Sequence, residues 1–224
     1  MTRQMAFDLP VRAALGRADF FVSPANRLAL ATLDRGDWPE GKLLLVGPEG
    51  AGKSHLARVW ARDAGARILD ADRLPAGRLV DDGALAIEDV DRIAGDREAE
   101  TALFHLHNHV LSRRGRLLMT ARSAPSGWPF ALADLRSRIR GTALIGIEPP
   151  DDALLSAVLV KLFADRQIRV TPQLIEWLVR RIERSFAAAR DAVAALDAAA
   201  LRRGVPVSRR LAAELLDSDR AAGP

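Results

Sequence analysis

A glycine-rich octapeptide that directly follows an apolar run constrains the fold of this chain more than any other feature. Residues 42–46 read KLLLV and residues 47–54 read GPEGAGKS, which fits the pattern G-x-x-x-x-G-K-[ST] completely. A helical pattern follows over residues 55–64. Between a buried strand and a helix, such glycines let backbone N–H groups close around phosphate oxygens at a helix N-terminus. We therefore predict a phosphate loop, in which Lys53 reaches the β- and γ-phosphates and the Ser54 hydroxyl ligates Mg²⁺.

Short apolar segments alternate with helical patterns over the first two thirds of the chain. The predicted strands cover residues 42–46, 68–69, 84–87, 117–120 and 143–147. This alternation predicts an α/β fold with a mostly parallel five-stranded sheet covered by helices on both faces. After Pro149-Pro150 the pattern is wholly helical, over residues 151–164, 171–181, 185–202 and 208–216. We expect an extended tail over residues 1–18, an α/β nucleotide-binding domain over 19–149 and a small all-helical lid domain over 150–224.

Composition narrows the class of protein without pointing to nucleic acid. The sequence pI is 10.4, yet 33 basic residues face 29 acidic ones, and thirty of the basic residues are Arg. Because Cys and Tyr are absent, few groups titrate at high pH, so the pI reflects missing buffering groups. The spread of Arg favours a solvated surface over a dedicated DNA-binding face. With no Cys and no apolar run near the length of a membrane span, we expect a cytoplasmic protein that does not contact the membrane.

Two acids follow the third predicted strand, at the sheet edge where ligands of parallel sheets gather. Glu88 is placed to hold Mg²⁺ through water, and Asp89 to polarise an attacking water. Thr120 ends the fourth strand, where it either orients that water or the γ-phosphate, or has a structural role. Because the usual order of the acids has Asp first, the Glu88-Asp89 order predicts weak intrinsic ATP hydrolysis.

Together these motifs resemble the AAA+ ATPases, and among them the DnaA family of replication initiators. The resemblance covers roughly residues 19–217 and rests on FVSPAN (21–26), the phosphate loop, LAIEDVD (85–91), LMTA (118–121) and LRSR (135–138) followed by EPPD (148–151). It implies ADP or ATP, with Mg²⁺, as the bound ligand. The nucleotide contacts that it implies are Val22, Asn26, Gly47, Pro48, Gly50, Ala51, Gly52, Lys53, Ser54 and His55.

The resemblance also assigns two arginines. In the L-x-S-R…PPD signature the second Arg is an arginine finger, which reaches the γ-phosphate of a nucleotide held by a neighbouring subunit, so Arg138 inherits that role. A further arginine of the family lies on the helical domain, and a gapless carry-over places Ala187 there. Either Arg190, one turn further on, substitutes for it, or this sensor is absent and hydrolysis is slow.

The chain most resembles the short DnaA relatives without a DNA-binding domain, the regulatory inactivators of DnaA known as Hda. About 14 residues separate Asp70 from Leu85, which is short for single-stranded-DNA-binding helices, and the sequence ends near residue 224. The N-terminal segment is similar to the peptide with which bacterial proteins dock on the DNA-polymerase sliding clamp, through Gln4, Met5, Phe7 and Leu9. The resemblance thus implies a clamp-dependent negative regulator of replication initiation. Its partners would be DnaA and the sliding clamp, with a possible homo-oligomer and no direct sequence-specific DNA binding.

Two other classes of function remain open at this point. An AAA+ loader or remodeller that acts directly on DNA would show DNA-stimulated ATPase activity with steep salt dependence. A small-molecule P-loop kinase would need an acceptor site and a mobile lid, and the LRSR…PPD signature favours it least.

Overall fold

The computed structural model describes residues 22–74 and 83–221 of the 224-residue chain. In chain order the helices and strands are α1 (Arg27–Arg35), β1 (Lys42–Val46), α2 (Lys53–Ala64), β2 (Arg67–Asp70), β3 (Ala84–Glu88), α3 (Arg97–Ser112), β4 (Arg116–Ala121), α4 (Ala133–Arg140), β5 (Ala143–Gly146), α5 (Asp152–Asp165), α6 (Pro172–Val179), α7 (Phe186–Arg203) and α8 (Arg209–Ala221).

The five strands form one sheet in the order β2-β3-β4-β1-β5, and every neighbouring pair is parallel. The predicted α/β class and five-stranded parallel sheet are therefore confirmed. β1 lies between β4 and β5, with Leu44 opposite both Met119 and Leu144. A strand with neighbours on both sides and helices on both faces has no solvated surface, which explains its continuous apolar sequence.

Alternate residues of the strands build two separate cores, one on each face of the sheet. On one face Leu43 and Leu45 pack with Leu56 and Trp60 of α2, and α1 covers the same side. On the other face Leu44 packs with residues of α3 and α4. Since side chains alternate between faces along a strand, one uninterrupted apolar run supplies both cores.

Helices α5 to α8 pack on one another around a third core, which includes Phe163, Leu178 and Val193. Their N-termini are capped by side chains: Thr171 accepts from the N–H of Leu174 at 3.4 Å, with Pro172 as the first helical residue. This capping confirms the predicted start of α6.

Helix α4 is the element that the sequence did not predict, although its motif LRSR was selected. Only Leu135 and Ile139 of this helix are buried, and no side chain caps its N-terminus. Two apolar residues one turn apart give too weak a periodic signal for a helix of eight residues. In the described ranges, no helix has the length and apolar character required to cross a membrane.

Candidate functional site: the phosphate loop and its surroundings

The loop between β1 and α2 has a backbone that requires glycine. Gly50 and Gly52 adopt φ values of +75° and +101°, in the left-handed region. Gly47 is required for another reason, since a Cβ there would lie 2.4 Å from the carbonyl oxygen of Ile147. That residue is held close because its N–H donates to the carbonyl of Val46 at 2.8 Å. The sheet thus fixes the start of the loop, and the left-handed glycines shape its turn.

Lys53 is the first residue of α2, and its side chain is folded into the loop. Its Nζ donates to the carbonyl oxygens of Gly47 and Pro48 at 2.7 and 2.9 Å. Burial lowers the pKa of Lys53, while the nearby Asp89 and Asp91 act in the opposite direction. The ammonium group is therefore positioned inside the loop, where phosphate oxygens would compete with these carbonyls for its protons. Ser54 and His55 follow in the first turn of the same helix, and both are half-buried.

The acids at the end of β3 and just after it include two buried oxygens without a partner in the described residues. Oε1 of Glu88 is one, and Oδ1 of Asp91 is the other. The second oxygen of Asp91 accepts from the backbone N–H of Arg122 at 3.2 Å. The sequence did not select Asp91 for this site, although it is the last residue of the quoted LAIEDVD segment and lies only three positions after Glu88. Unpaired carboxylate oxygens at the edge of a phosphate loop can accept from bound water or a hydrated cation.

Asp89 and Thr120 are joined by hydrogen bonds between neighbouring strand ends. The backbone N–H of Asp89 donates to Oγ1 of Thr120 at 3.0 Å, and the N–H of Val90 donates to its carbonyl at 2.9 Å. Asp89 has a φ of +57°, and its carboxylate lies 3.8 Å from Arg92. Because the Thr120 hydroxyl accepts the Asp89 N–H, its own proton stays available for donation.

The residues present fit a magnesium ion that is held mainly by a nucleotide. In the described ranges, no group of three or more His, Cys, Asp or Glu could hold a metal ion alone. Mg²⁺ commonly uses one or two protein oxygens together with phosphates and water. The Ser54 hydroxyl and the unpaired oxygen of Glu88 supply that kind of donor set, so these two residues would hold the ion.

The segment expected to border the adenine is anchored by hydrogen bonds. Oδ1 of Asn26, which is buried, accepts from the N–H of Ser23 at 2.9 Å, and the N–H of Glu148 donates to the carbonyl of Ala25 at 3.2 Å. Val22 is exposed. Asn26 thus holds the turn that leads into α1, and the Ala25 carbonyl ties this turn to the segment that follows β5.

Helix α7 begins directly against the phosphate loop, and the sequence did not reveal this contact. The N–H of Phe186 donates to the carbonyl of Gly50 at 3.0 Å. A Cβ on Gly52 would lie 2.8 Å from the Phe186 ring, and a Cβ on Gly50 would lie 2.4 Å from that of Ser185. Ala187 lies in this first turn, and Arg190 is exposed further along the helix. Since the contact joins distant parts of the chain, no local pattern signals it.

Arg138 is placed far from the chain's own phosphate loop. It lies in the last turn of α4, which returns the chain to the edge of the sheet where β5 and β1 begin. There Arg138 and Lys42, the first residue of β1, line the same groove. The exposed guanidinium stacks over Phe104, with its Cζ 5.1 Å from the ring centroid. The phosphate loop follows the C-terminal end of β1, whereas Arg138 lies near the N-terminal end of that strand. The two therefore lie at opposite ends of the sheet.

A buried carboxylate fixes the start of the helix that carries Arg138. Glu100 on α3 is fully buried and accepts from the N–H groups of Gly95, Ala131 and Leu132 at 2.7, 3.0 and 2.6 Å. The last two of these residues directly precede α4. Glu100 therefore holds α4 against α3 through charge-assisted hydrogen bonds, a role that the sequence did not indicate.

The predicted clamp-binding residues Gln4, Met5, Phe7 and Leu9 lie outside the described residues.

Comparison of the sequence with known proteins finds relatives among replication initiators. No protein-family profile matches the chain. The chromosomal replication initiator protein DnaA of Caulobacter sp. (strain K31) is 32% identical over 219 residues, which cover 85% of this chain and 45% of that protein. The chain spans about half the length of the curated relatives it matches.

Solved structures agree with the sequence comparison. Domain III of the Thermotoga maritima replication initiation protein DnaA superposes with a TM-score of 0.78 at 19% identity, covering 94% of this chain and 98% of that one. The AMPPCP-bound DnaA of Aquifex aeolicus gives a TM-score of 0.67 at 17% identity, covering 80% of this chain and 63% of that one. The chain therefore has the AAA+ fold and is related in sequence to the AAA+ region of DnaA.

Proposed function

We propose that this chain is a negative regulator of replication initiation that acts on DnaA. It holds ADP or ATP in its own phosphate loop and presents Arg138 to the ATP held by DnaA, which drives hydrolysis in trans. The observation that carries the proposal is the position of Arg138, exposed at the sheet edge opposite its own loop. An arginine there is remote from the chain's own loop and is available to a nucleotide on another subunit.

The chemistry of a guanidinium suits this task. Arg stays charged at any physiological pH and presents planar N–H donors that match phosphate oxygens. A positive charge supplied in trans at the γ-phosphate accelerates hydrolysis by about 10³- to 10⁵-fold in enzymes of this kind. The Phe104 ring beneath Arg138 and the anchoring of α4 by Glu100 orient the side chain before the partner arrives, which reduces the entropy lost on association.

The chain's own nucleotide has mainly a structural role in this proposal. Lys53 and the loop backbone would bind its phosphates, and Ser54 with Glu88 would hold Mg²⁺. Because Phe186 at the start of α7 is hydrogen-bonded to Gly50, a ligand that orders the loop also stabilises the contact with helices α5 to α8. The AMPPCP-bound state of the Aquifex relative supports a nucleotide at this position.

Docking on the sliding clamp is the other part of the proposal, and it rests on the N-terminal peptide. In an extended segment Gln4 would hydrogen-bond at the rim of a pocket, while Met5, Phe7 and Leu9 fill an apolar groove. The clamp would bring the chain to DNA, so contact with DNA would be indirect.

The proposal is tested by following ATP hydrolysis on DnaA. DnaA is loaded with labelled ATP and mixed with the full chain, ADP and clamp assembled on DNA, and the ADP formed on DnaA is measured. We expect hydrolysis to accelerate, and Phe7→Ala to reduce the effect by weakening retention on the clamp. Asp8→Ala is the matched control. Because successive side chains of an extended segment point to opposite sides, Asp8 would face away from the groove, and its variant should retain the effect. An unchanged rate with all components present would contradict the proposal, and DNA-stimulated hydrolysis by the chain alone would favour a remodeller.

A further inference from the structure

A groove of about 650 Å³ lies at the sheet edge opposite the phosphate loop. Its walls are the turn before β1, the C-terminal half of α3 with the residues after it, and the end of α4. We call it the Arg138 groove and define it by Glu40, Lys42, His107, Asn108, Arg114 and Arg138. Most of its lining residues carry a charged or polar side chain, so the groove offers partners to a polar ligand.

The charge of the Arg138 groove is positive. The Lys42 side chain is only 6% exposed, and its Nζ lies 2.7 Å from the carboxylate of Glu40. Arg114 and Arg138 are exposed residues of the same lining. Three cations therefore face one carboxylate, and one of the cations is buried, where screening by salt is weak. This arrangement favours an anion.

His107 adds a buried polar atom without a partner. The residue is 1% exposed, and its Nε2 has no hydrogen-bond partner in the described part of the chain. Its Nδ1 lies 3.5 Å from Oδ1 of Asn108. The pKa of His107 is lowered to about 4, mainly by burial and also by the charges of Lys42 and Arg138, while the hydrogen bond to Asn108 and the charge of Glu40 oppose the shift. The imidazole is therefore neutral at neutral pH.

We propose that the Arg138 groove binds a phosphoryl dianion and that His107 takes up a proton when it does so. A dianion between Lys42 and Arg138 replaces the positive field at the imidazole with a negative one. The protonated Nε2–H then donates to an oxygen of the ligand, so the unpaired atom gains a partner. Two sources could supply this group, free phosphate or the terminal phosphate of a nucleotide held by DnaA, and only the second rests on the proposed function.

The first arm of the test uses the full chain saturated with ADP, so that its phosphate loop is occupied. Sulfate is the probe, because it stays a dianion between pH 5 and 8 and any pH dependence belongs to the protein. The side-chain nitrogens of His107 are followed by NMR, and affinity is measured by calorimetry. If a free dianion suffices, sulfate binding makes His107 take up a proton from solvent, and sulfate affinity rises by about tenfold from pH 7 to pH 5, since binding is linked to that uptake.

Variants separate the roles of the groove residues in this first arm. His107→Gln cannot titrate, so it should retain sulfate binding at pH 7 and lose the rise toward pH 5. His105→Gln, an exposed histidine on the same helix, is the matched control and should keep the rise. Arg138→Gln should weaken sulfate binding at both pH values.

The second arm replaces sulfate with DnaA that holds AMPPCP. Protonation of His107 on addition of sulfate assigns the site to a free dianion, and protonation only in the presence of DnaA assigns it to the partner's nucleotide. A neutral His107 in both arms overturns the inference. Failure of the proposed function is recognised separately, because His107 can take up a proton when sulfate binds while hydrolysis on DnaA stays unstimulated.

Discussion

The backbone N–H of Phe186 donates to the carbonyl oxygen of Gly50 at 3.0 Å. This bond joins the first turn of α7 to the middle of the phosphate loop, and the Phe186 ring packs beside Gly52. The helices that follow the sheet are therefore attached to the site where a nucleotide's phosphates would lie. Changes on either side of the contact should affect both stability and nucleotide binding.

Gly50→Ala should be more damaging than an equally strained substitution elsewhere. Gly50 and Gly204 have φ values of +75° and +64°, but a Cβ on Gly50 meets Ser185 at 2.4 Å whereas one on Gly204 meets open space. We expect about 1 kcal/mol of destabilisation for Gly204→Ala and about 2 to 4 kcal/mol for Gly50→Ala. Urea unfolding measures both. Equal losses would show that Ser185 does not constrain the loop.

Lys53→Ala should remove nucleotide affinity with little effect on the fold. Within the described residues the ammonium group donates to the loop carbonyls of Gly47 and Pro48, whereas a bound phosphate would accept a charge-assisted hydrogen bond from it. We expect ADP to bind about 10- to 100-fold more weakly. Calorimetry with ADP and Mg²⁺ measures this, with Lys161→Ala on α5 as the control. Unchanged ADP affinity would remove Lys53 from the nucleotide site.

Glu100→Ala should loosen the helix that carries Arg138. The carboxylate is fully buried and accepts three backbone N–H groups, from Gly95, Ala131 and Leu132. Leaving such donors unpaired costs about 3 kcal/mol or more, so the free energy of unfolding should fall by that amount. Glu98→Ala, an exposed position on the same helix, should change it by less than about 0.5 kcal/mol. If hydrogen exchange at Ala131 and Leu132 were no faster in Glu100→Ala, the anchoring role would be wrong.

His107 should make the fold less stable in mild acid. The pKa of His107 is lowered to about 4 in the folded protein from its ordinary value of 6.5, so the unfolded chain binds the extra proton between these values. Its stabilising contribution is complete above pH 6.5 and is lost as the pH falls toward 4, by about 2 kcal/mol at pH 5. Urea unfolding in sulfate-free buffer at pH 7 and pH 5 measures the loss. His107→Gln should lose less stability than His105→Gln over this interval, and equal losses would contradict the assignment.

The sequence predicted the parts of this protein that depend on neighbouring residues. The apolar run before Gly47 and the glycine spacing up to Lys53 are contiguous, so strand, loop and helix could be inferred together. Helix α4 was missed because its buried side chains are only Leu135 and Ile139. Its motif still drew attention to Arg138 through a family resemblance, which gave the residue a role but no position in the fold.

Contacts between distant segments could not be inferred in this way. Glu100 lies in a helix of ordinary charge pattern, and its partners Ala131 and Leu132 are 31 and 32 residues away along the chain. His107 lies between His105 and His109 in the sequence, and only the packing of α3 shows that it is the buried one. In each case the tertiary structure decides whether a polar side chain faces water, a backbone donor or a groove.

The most direct test of the central claim compares Arg138→Ala with Arg136→Ala, both exposed on α4, in the assay of ATP hydrolysis on DnaA. ADP affinity and retention on the clamp are measured for both variants, because neither property involves these side chains. We predict that Arg138→Ala loses the stimulation while keeping ADP affinity and clamp retention, and that Arg136→Ala resembles the unmodified chain. Full stimulation by Arg138→Ala would contradict the account.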